Sequence, residues 1–314
     1  MSEFWVDRRV VVTGGSGFLG THLLAKLRAA GCDDVIVPRS AQYDLTKEDA
    51  VEALFEDNKP DLVIHAAGNV GGIGANRSLP ATLFYDNLMM GALLMEHARR
   101  AGVDKFVVVG TICSYPKFTP VPFKEEALWE GYPEETNAPY GVAKKALLVQ
   151  AQAYRRQYDF NAIYLLPVNL YGPGDNYDPE RSHVIPALIK KFLDAKAAGD
   201  SYITCWGDGS PTREFLYVED CAEAVVLAAE RYDGAEPVNI GTGKEISISD
   251  LAVLIARATG FEGEIRWDAT KPNGQPRRCL DTERAAELFG FRAGTSFEDG
   301  LIEMVRVYQD RITA

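Results

Sequence analysis

Long hydrophobic runs are missing from this chain, and no apolar stretch approaches the 18 residues that a membrane-crossing helix needs. The first residues, Met1-Ser2-Glu3-Phe4-Trp5, lack the basic and then apolar order of a secretory signal. Cysteine is sparse. Its five copies, at 32, 113, 205, 221 and 279, are odd in number and never fall in C-x-x-C spacing. That disfavours a disulfide framework and a metal site of the zinc type, and it suits a reducing compartment. Positive charge is also short: 33 Lys and Arg against 45 Asp and Glu leave a net charge of −12. Nucleic acid and anionic membrane are therefore poor partners. No repeat or low-complexity segment is present. The expectation is a cytoplasmic protein with no metal, no nucleic-acid partner and no membrane partner.

What is present begins with glycine. The strand-like run Arg9-Val10-Val11-Val12-Thr13 empties into Gly14-Gly15-Ser16-Gly17-Phe18-Leu19-Gly20. Gly14, Gly17 and Gly20 follow G-x-x-G-x-x-G spacing, a variant of the dinucleotide fingerprint. Glycine there permits a tight turn, close approach of backbone to phosphate and close packing of helix on strand. Thr21 to Ala30 places Leu23, Leu24 and Leu27 on one helical face, so the helix start aims free N–H groups at an anion.

The rest of the chain fits that beginning. At 314 residues and 46% hydrophobic it can bury a large core, as one big domain or two. Expected strands are Val10–Thr13, Asp34–Val37, Leu62–Ala66, Phe106–Val109 and Ala162–Pro167, with helices at Lys47–Asn58, Ala81–Arg100 and Tyr140–Tyr158. Nearly continuous apolar strands joined by helical crossovers imply an α/β fold, a Rossmann-type doubly wound parallel sheet covered on both faces. From about Asn169 the rhythm breaks, with Pro173, Pro179, Pro186 and Pro211 and shorter elements. The expected division is a cofactor domain over 1–168, to which 217–240 returns, and a smaller C-terminal α/β substrate lobe over 169–216 and 241–314.

Two patterns bear on chemistry. The second strand ends in Pro38-Arg39-Ser40, where an acidic residue would favour NAD; an arginine beside a hydroxyl suits a 2′-phosphate instead, hence NADP(H), unless Arg39 is a plain surface charge. Asp44 either meets the adenine or caps the next helix. Small residues after His65, from Ala66 on, let the chain pass close to a cofactor, while His65 itself reads as a packed strand-end residue. The second pattern is Tyr140 and Lys144, which share a helical face. An ammonium near the phenol is expected to lower its pKa from about 10 and bring proton exchange within range. Lysine can also hold the nicotinamide ribose. Gly110-Thr111-Ile112-Cys113-Ser114 follows a strand and puts hydroxyls at the sheet edge where ligands of open α/β folds sit, so Thr111 is placed to donate to a carbonyl oxygen.

The glycine loop with Thr111, Tyr140 and Lys144 resembles the extended short-chain dehydrogenase/reductases, which chiefly modify nucleotide sugars. Longer blocks narrow the resemblance to the GDP-L-fucose synthase family: Val70-Gly71-Gly72-Ile73-Gly74-Ala75-Asn76, Cys113 with Tyr115-Pro116-Lys117, Asn137-Ala138-Pro139-Tyr140, and Asn169-Leu170-Tyr171-Gly172-Pro173-Gly174-Asp175-Asn176. Ser182-His183-Val184-Ile185-Pro186-Ala187-Leu188, Trp206-Gly207, Arg213-Glu214-Phe215-Leu216 and Lys271-Pro272-Asn273-Gly274-Gln275-Pro276-Arg277 continue it in family order. The resemblance implies an enzyme that epimerises GDP-4-keto-6-deoxy-D-mannose at C3 and C5 and then reduces C4 with NADPH. It implies a catalytic set of Thr111, Cys113, Tyr140, Lys144 and His183, with Cys113 and His183 moving the protons. Taken alone, Cys113 reads as a small buried hydrophobe and His183 as a helix-start residue.

The implied cofactor set is Gly14, Ser16, Gly17, Phe18, Leu19, Gly20, Arg39, Asp44, Ala66, Lys144 and His183. Lys191, Arg213 and Arg278 match basic positions for the diphosphate of a GDP-sugar, and Trp206 and Asn169 are candidates for sugar or base. A homodimer through Ala81–Arg100 and Tyr140–Tyr158 is the family expectation. The chain departs from the family pattern at Thr111, where serine is common, at Ile112 and Ser114, and at Lys191, where arginine is common. Two relatives of this activity stand as alternatives: another GDP-keto-sugar epimerase/reductase, and an NAD-dependent nucleotide-sugar 4-epimerase.

Overall fold

The computed structural model describes residues 3–178, 182–271, 273 and 275–313; Met1, Ser2, Pro179, Pro272 and Gly274, named above, lie outside them. The chain runs β1 (Arg9–Thr13), α1 (Phe18–Ala30), β2 (Asp34–Ile36), α2 (Glu48–Asn58), β3 (Leu62–His65), α3 (Ile73–Ser78), α4 (Pro80–Arg100), β4 (Lys105–Val109), α5 (Ala138–Tyr158) and β5 (Ala162–Pro167). There follow β6 (Asn169–Tyr171), α6 (Val184–Ala198), β7 (Tyr202–Trp206), β8 (Thr212–Tyr217), α7 (Val218–Arg231), β9 (Val238–Ile240), β10 (Glu245–Ser247), α8 (Ile248–Thr259), β11 (Glu264–Asp268), α9 (Glu283–Phe289) and α10 (Phe297–Thr313).

Six strands form one sheet in the order β2-β1-β3-β4-β5-β9, and every pairing in it is parallel. All residues of β3, β4 and β5 are buried, as a sheet covered on both faces requires. α4 lies along α5, and α1 along α7. Because β2 and β3 flank β1 on opposite sides, the winding direction reverses there, which opens a crevice at the C-terminal ends of β1 and β3. This is the doubly wound α/β fold, with strand and helix limits within three residues of those expected.

A second core gathers around Phe192, Ile189, Leu251, Ile255 and Met304. It carries the three-stranded sheet β10-β8-β6 and the parallel pair β7–β11. α7 and β9 return to the first body, β9 pairing with β5. A further stretch does the same: Leu280, Ala285, Phe289 and Phe291 belong to the first core, although the sequence division put 241–314 wholly in the second lobe. The reason is the apolar face of α9, which packs beside α7 and β9.

Glu214 on β8 ties these segments together. Its carboxylate is fully buried and accepts from Leu280 N at 2.6 Å, Thr242 N at 2.5 Å and Gly243 N at 2.8 Å. Burial pushes its pKa up, and the backbone donors oppose that shift. Glu214→Ala leaves three N–H groups without their acceptor and is expected to cost about 2–5 kcal/mol. The check is a urea titration, in which the midpoint falls at unchanged slope while Glu214→Gln loses roughly half as much.

Candidate active site

The reactive cluster forms where β4 ends. Thr111 is extended, and its hydroxyl accepts from Cys113 N at 3.2 Å, which closes the short 3-10 turn Ile112–Ser114. That turn lies directly on the first turn of α5. A Cβ on Gly141 would overlap the Cys113 carbonyl oxygen, so only glycine permits the approach. Ser114 Oγ donates to Gly141 O at 3.0 Å, and Tyr164 Oη donates to Lys144 O at 2.9 Å, fixing α5 from both sides. The result brings Thr111, Cys113, Tyr140 and Lys144 together, with the hydroxyls of Thr111 and Tyr140 as neighbours. Cys113 is the only one of the five cysteines that is not buried.

Lys144 is buried, and its ammonium donates to Ala67 O and Val109 O, each at 3.2 Å, bridging the ends of β3 and β4. Burial lowers its pKa to about 8. Tyr140 behaves differently from expectation. Burial of its hydroxyl raises the pKa, the charge of Cys113 adds to this, and the Thr111 hydroxyl opposes it. Lowering by Lys144 is not what this arrangement gives: the ammonium is itself desolvated and committed to two carbonyls. His65 is a packed strand-end residue, bonded through Nδ1 to Thr13 Oγ1 at 2.9 Å, with its pKa depressed by burial and by Lys144.

The crevice beside this cluster fits a dinucleotide. Gly14 has φ +72°, and a Cβ there would stand 2.7 Å from Ala67 N; one on Gly20 would overlap Gly14 O. Backbone thus fills the space that side chains would take, Ser16 and Gly17 are exposed, and α1 starts at Gly17 with no side-chain cap on its N–H groups. Phe18 and Leu19 are half-buried, and Ala66 N donates to Thr13 O at 3.2 Å. Arg39 is exposed in the turn after β2, where its carbonyl accepts from Gln42 N and Tyr43 N. Asp44 does not cap α2, whose cap is Lys47. It closes its own turn on Thr46 N and Oγ1, and these bonds lower its pKa.

Across the cluster stands the second body. His183 is exposed at the start of α6 and shares a cavity of about 90 Å³ with Asn169 and Arg213. Arg213 donates to Thr212 O at 2.6 Å; burial first, and then the neighbouring charge of Arg278, lower its pKa to about 10 against the opposing charge of Glu245. Arg278 Nη2 lies 3.6 Å from Cys113 Sγ. Lys191 and Trp206 attach to β7 instead: Lys191 Nζ donates to Thr204 O at 2.6 Å, and the Trp206 ring is 69% exposed beneath Lys271. Sequence reasoning missed Asp175, a buried carboxyl whose pKa rises to about 6 through burial, with the charge of His183 opposing. Its only signal was a place in the Asn169–Asn176 block, where a lone aspartate reads as a turn former.

Residues 10–241 match the model of the NAD dependent epimerase/dehydratase family. A GDP-L-fucose synthase of Sinorhizobium fredii is 44% identical, the match covering 94% of this chain and 93% of the relative. The chain belongs to the GDP-L-fucose synthase family. A probable GDP-L-fucose synthase 1 of Oryza sativa subsp. japonica is 42% identical over 99% of this chain and 95% of its own length. Among solved structures, a GDP-L-fucose synthetase from Naegleria fowleri bound to NADP superposes with a TM-score of 0.89 at 27% identity, covering 98% of this chain and 96% of the other.

In this GDP-L-fucose synthase family member the buried ammonium has a measurable cost. The pKa of Lys144 falls from 10.5 unfolded to about 8 folded, so unfolding takes up a proton between those values. The penalty is fully present below about pH 8 and is relieved as pH rises through the window. Urea titrations of the ligand-free protein and of Lys144→Met should therefore show the variant losing about 3 kcal/mol relative to the parent between neutral pH and about pH 10.5. A difference that stays flat with pH would contradict a desolvated ammonium.

Proposed function

We propose that this protein is a bifunctional epimerase–reductase that converts GDP-4-keto-6-deoxy-D-mannose to GDP-L-fucose with NADPH. The observation that carries this reading is the Cys113 thiol standing beside the Thr111–Tyr140 hydroxyl pair. A plain reductase needs only the hydroxyl pair. An enzyme that also inverts the carbons flanking the carbonyl needs a further proton-moving group next to it.

The C4 ketone makes the protons at C3 and C5 acidic. At each carbon a base takes the proton, the C–H electron pair moves into an enolate with its charge on the C4 oxygen, and an acid returns a proton to the opposite face. Cys113 and His183 are the pair for this work. Thr111 and Tyr140 hold the C4 oxygen through both stages, so the contacts that stabilise the enolate also stabilise the alkoxide. Bound NADPH supplies the hydride to C4. Tyr140 gives its proton to the oxygen; its raised pKa keeps the phenol protonated at neutral pH and ready to act as the acid.

Lys144, at the mouth of β3 and β4, suits the nicotinamide ribose, and exposed Arg39 suits a 2′-phosphate. Arg213 is the diphosphate ligand best supported by its surroundings, since a half-buried guanidinium gains from an anion. The exposed Trp206 ring offers a stacking face to the base, and Lys191 is tied to the same strand, β7, through the Thr204 carbonyl. The two cores support a cofactor domain over 1–168 and 217–240 and a substrate lobe over 169–216 and most of 241–314, less the stretch that packs on the first core. Homodimer formation through α4 and α5 accords with exposed Phe84, Tyr85 and Val149 on those helices. A reducing cytoplasm suits five free cysteines.

Tyr140→Phe should abolish reduction while leaving solvent exchange at C3 or C5. Cys113→Ser and His183→Asn should each lower epimerisation by about 10²-fold or more while sparing cofactor binding. Proton NMR of the sugar in D2O and NADPH fluorescence titration check the two halves. Normal fucose formation by both of the last variants would remove the acid–base assignment.

A further inference from the structure

Arg278 matches a family position for the substrate diphosphate, yet its guanidinium does not stand alone over the substrate side. Nη2 lies 3.6 Å from Cys113 Sγ, across 165 residues of sequence, and its Nε is buried with no hydrogen-bond partner among the described residues. Its backbone is held on a fixed seam. Arg278 O accepts from Glu214 N at 3.1 Å, the next carbonyl, of Cys279, accepts from Phe123 N at 2.7 Å, and Leu280 N donates to Glu214 at 2.6 Å. The clamp fixes the main chain from which the side chain reaches the sulfur. Local charge is also unbalanced: Arg213 feels the positive charge of Arg278, while Glu245, the carboxylate that acts on Arg213, is engaged by Arg277 and Thr212.

From this geometry we infer that Arg278 is a positioning residue for Cys113, holding the sulfur in place and stabilising its thiolate form. This rests on the reading of Cys113 as an acid–base group. When Cys113 protonates the enolate, the S–H bond breaks, a C–H bond forms at the sugar carbon, and the S–H electron pair stays on sulfur as a thiolate. Taking a proton from the sugar runs the same exchange backwards, and the charge again changes at sulfur. A guanidinium in contact with that sulfur compensates the charge in a site where water does so poorly. Arginine suits the task because it remains charged in such surroundings.

The test uses the fact that Cys113 is the only cysteine that is not buried, so alkylation of the native enzyme by iodoacetamide reports on it. If Arg278 stabilises the thiolate, Arg278→Met slows alkylation at neutral pH about tenfold, and Arg278→Lys retains most of the rate. If Arg278 only packs over the sulfur, Arg278→Met uncovers Cys113 and alkylation speeds up, which overturns the inference. In parallel, deuterium exchange at C3 and C5 in Arg278→Met should fall at least about tenfold further than oxidation of GDP-L-fucose by NADP⁺, which needs no proton transfer at carbon. A rise in KM for the GDP-sugar with unchanged alkylation would assign Arg278 to the diphosphate and overturn the inference. Cys113→Ser separates the two readings: normal exchange in that variant sinks the role of Cys113 itself, whereas its loss leaves Arg278 to be judged on its own variants.

Discussion

The close contact between the turn after β4 and the first turn of α5 is the constraint on which the reactive cluster depends. Cys113 presents its carbonyl where Gly141 has no side chain, and Ser114 locks the contact through the Gly141 carbonyl. Because α5 also carries Tyr140 and Lys144, this one approach sets the relation of the phenol to the Thr111 hydroxyl and the Cys113 thiol. The same helix is fixed deeper by Tyr164, which takes up the Lys144 carbonyl. A shift of the turn away from α5 would separate the Cys113 thiol and the Thr111 hydroxyl from the Tyr140 phenol. Proximity of that kind accounts for a large part of what an enzyme does.

Burial then decides how each group behaves. The Lys144 ammonium is desolvated with its pKa lowered to about 8, Tyr140 is held protonated, and Arg213 loses its hydration next to a second guanidinium. The two desolvated cations, Lys144 and Arg213, cost the empty protein stability. Buried groups with shifted pKa values gathered along one crevice are the mark of a functional site. The Glu214 seam supplies compensation at a distance, since it joins β8, the loop after β9 and the strand-like stretch that bears Arg278.

Local pattern made much of this legible in the sequence. Apolar strands, helical periodicity and the glycine spacing are properties of short windows, and the sheet, α1 and α5 follow them closely. Tyr140 and Lys144 were readable because one helix fixes their relation. What escaped depends on chain segments that meet only in three dimensions. Nothing near Arg278 announces Cys113, nothing near Glu214 announces the backbone donors of 242, 243 and 280, and the return of α9 to the first core has no local signature. The direction of the Tyr140 shift was misread for a related reason: spacing tells which charge is near, but depth decides which effect wins, and depth belongs to the fold.

The most direct test of the central claim is a single reaction in D2O with GDP-4-keto-6-deoxy-D-mannose and NADPH, followed by NMR. The account predicts GDP-L-fucose carrying deuterium at both C3 and C5, formed with consumption of NADPH. Oxidation of NADPH with C3 and C5 uninverted and unlabelled would contradict it, leaving a 4-reductase in which Cys113 and His183 move no protons.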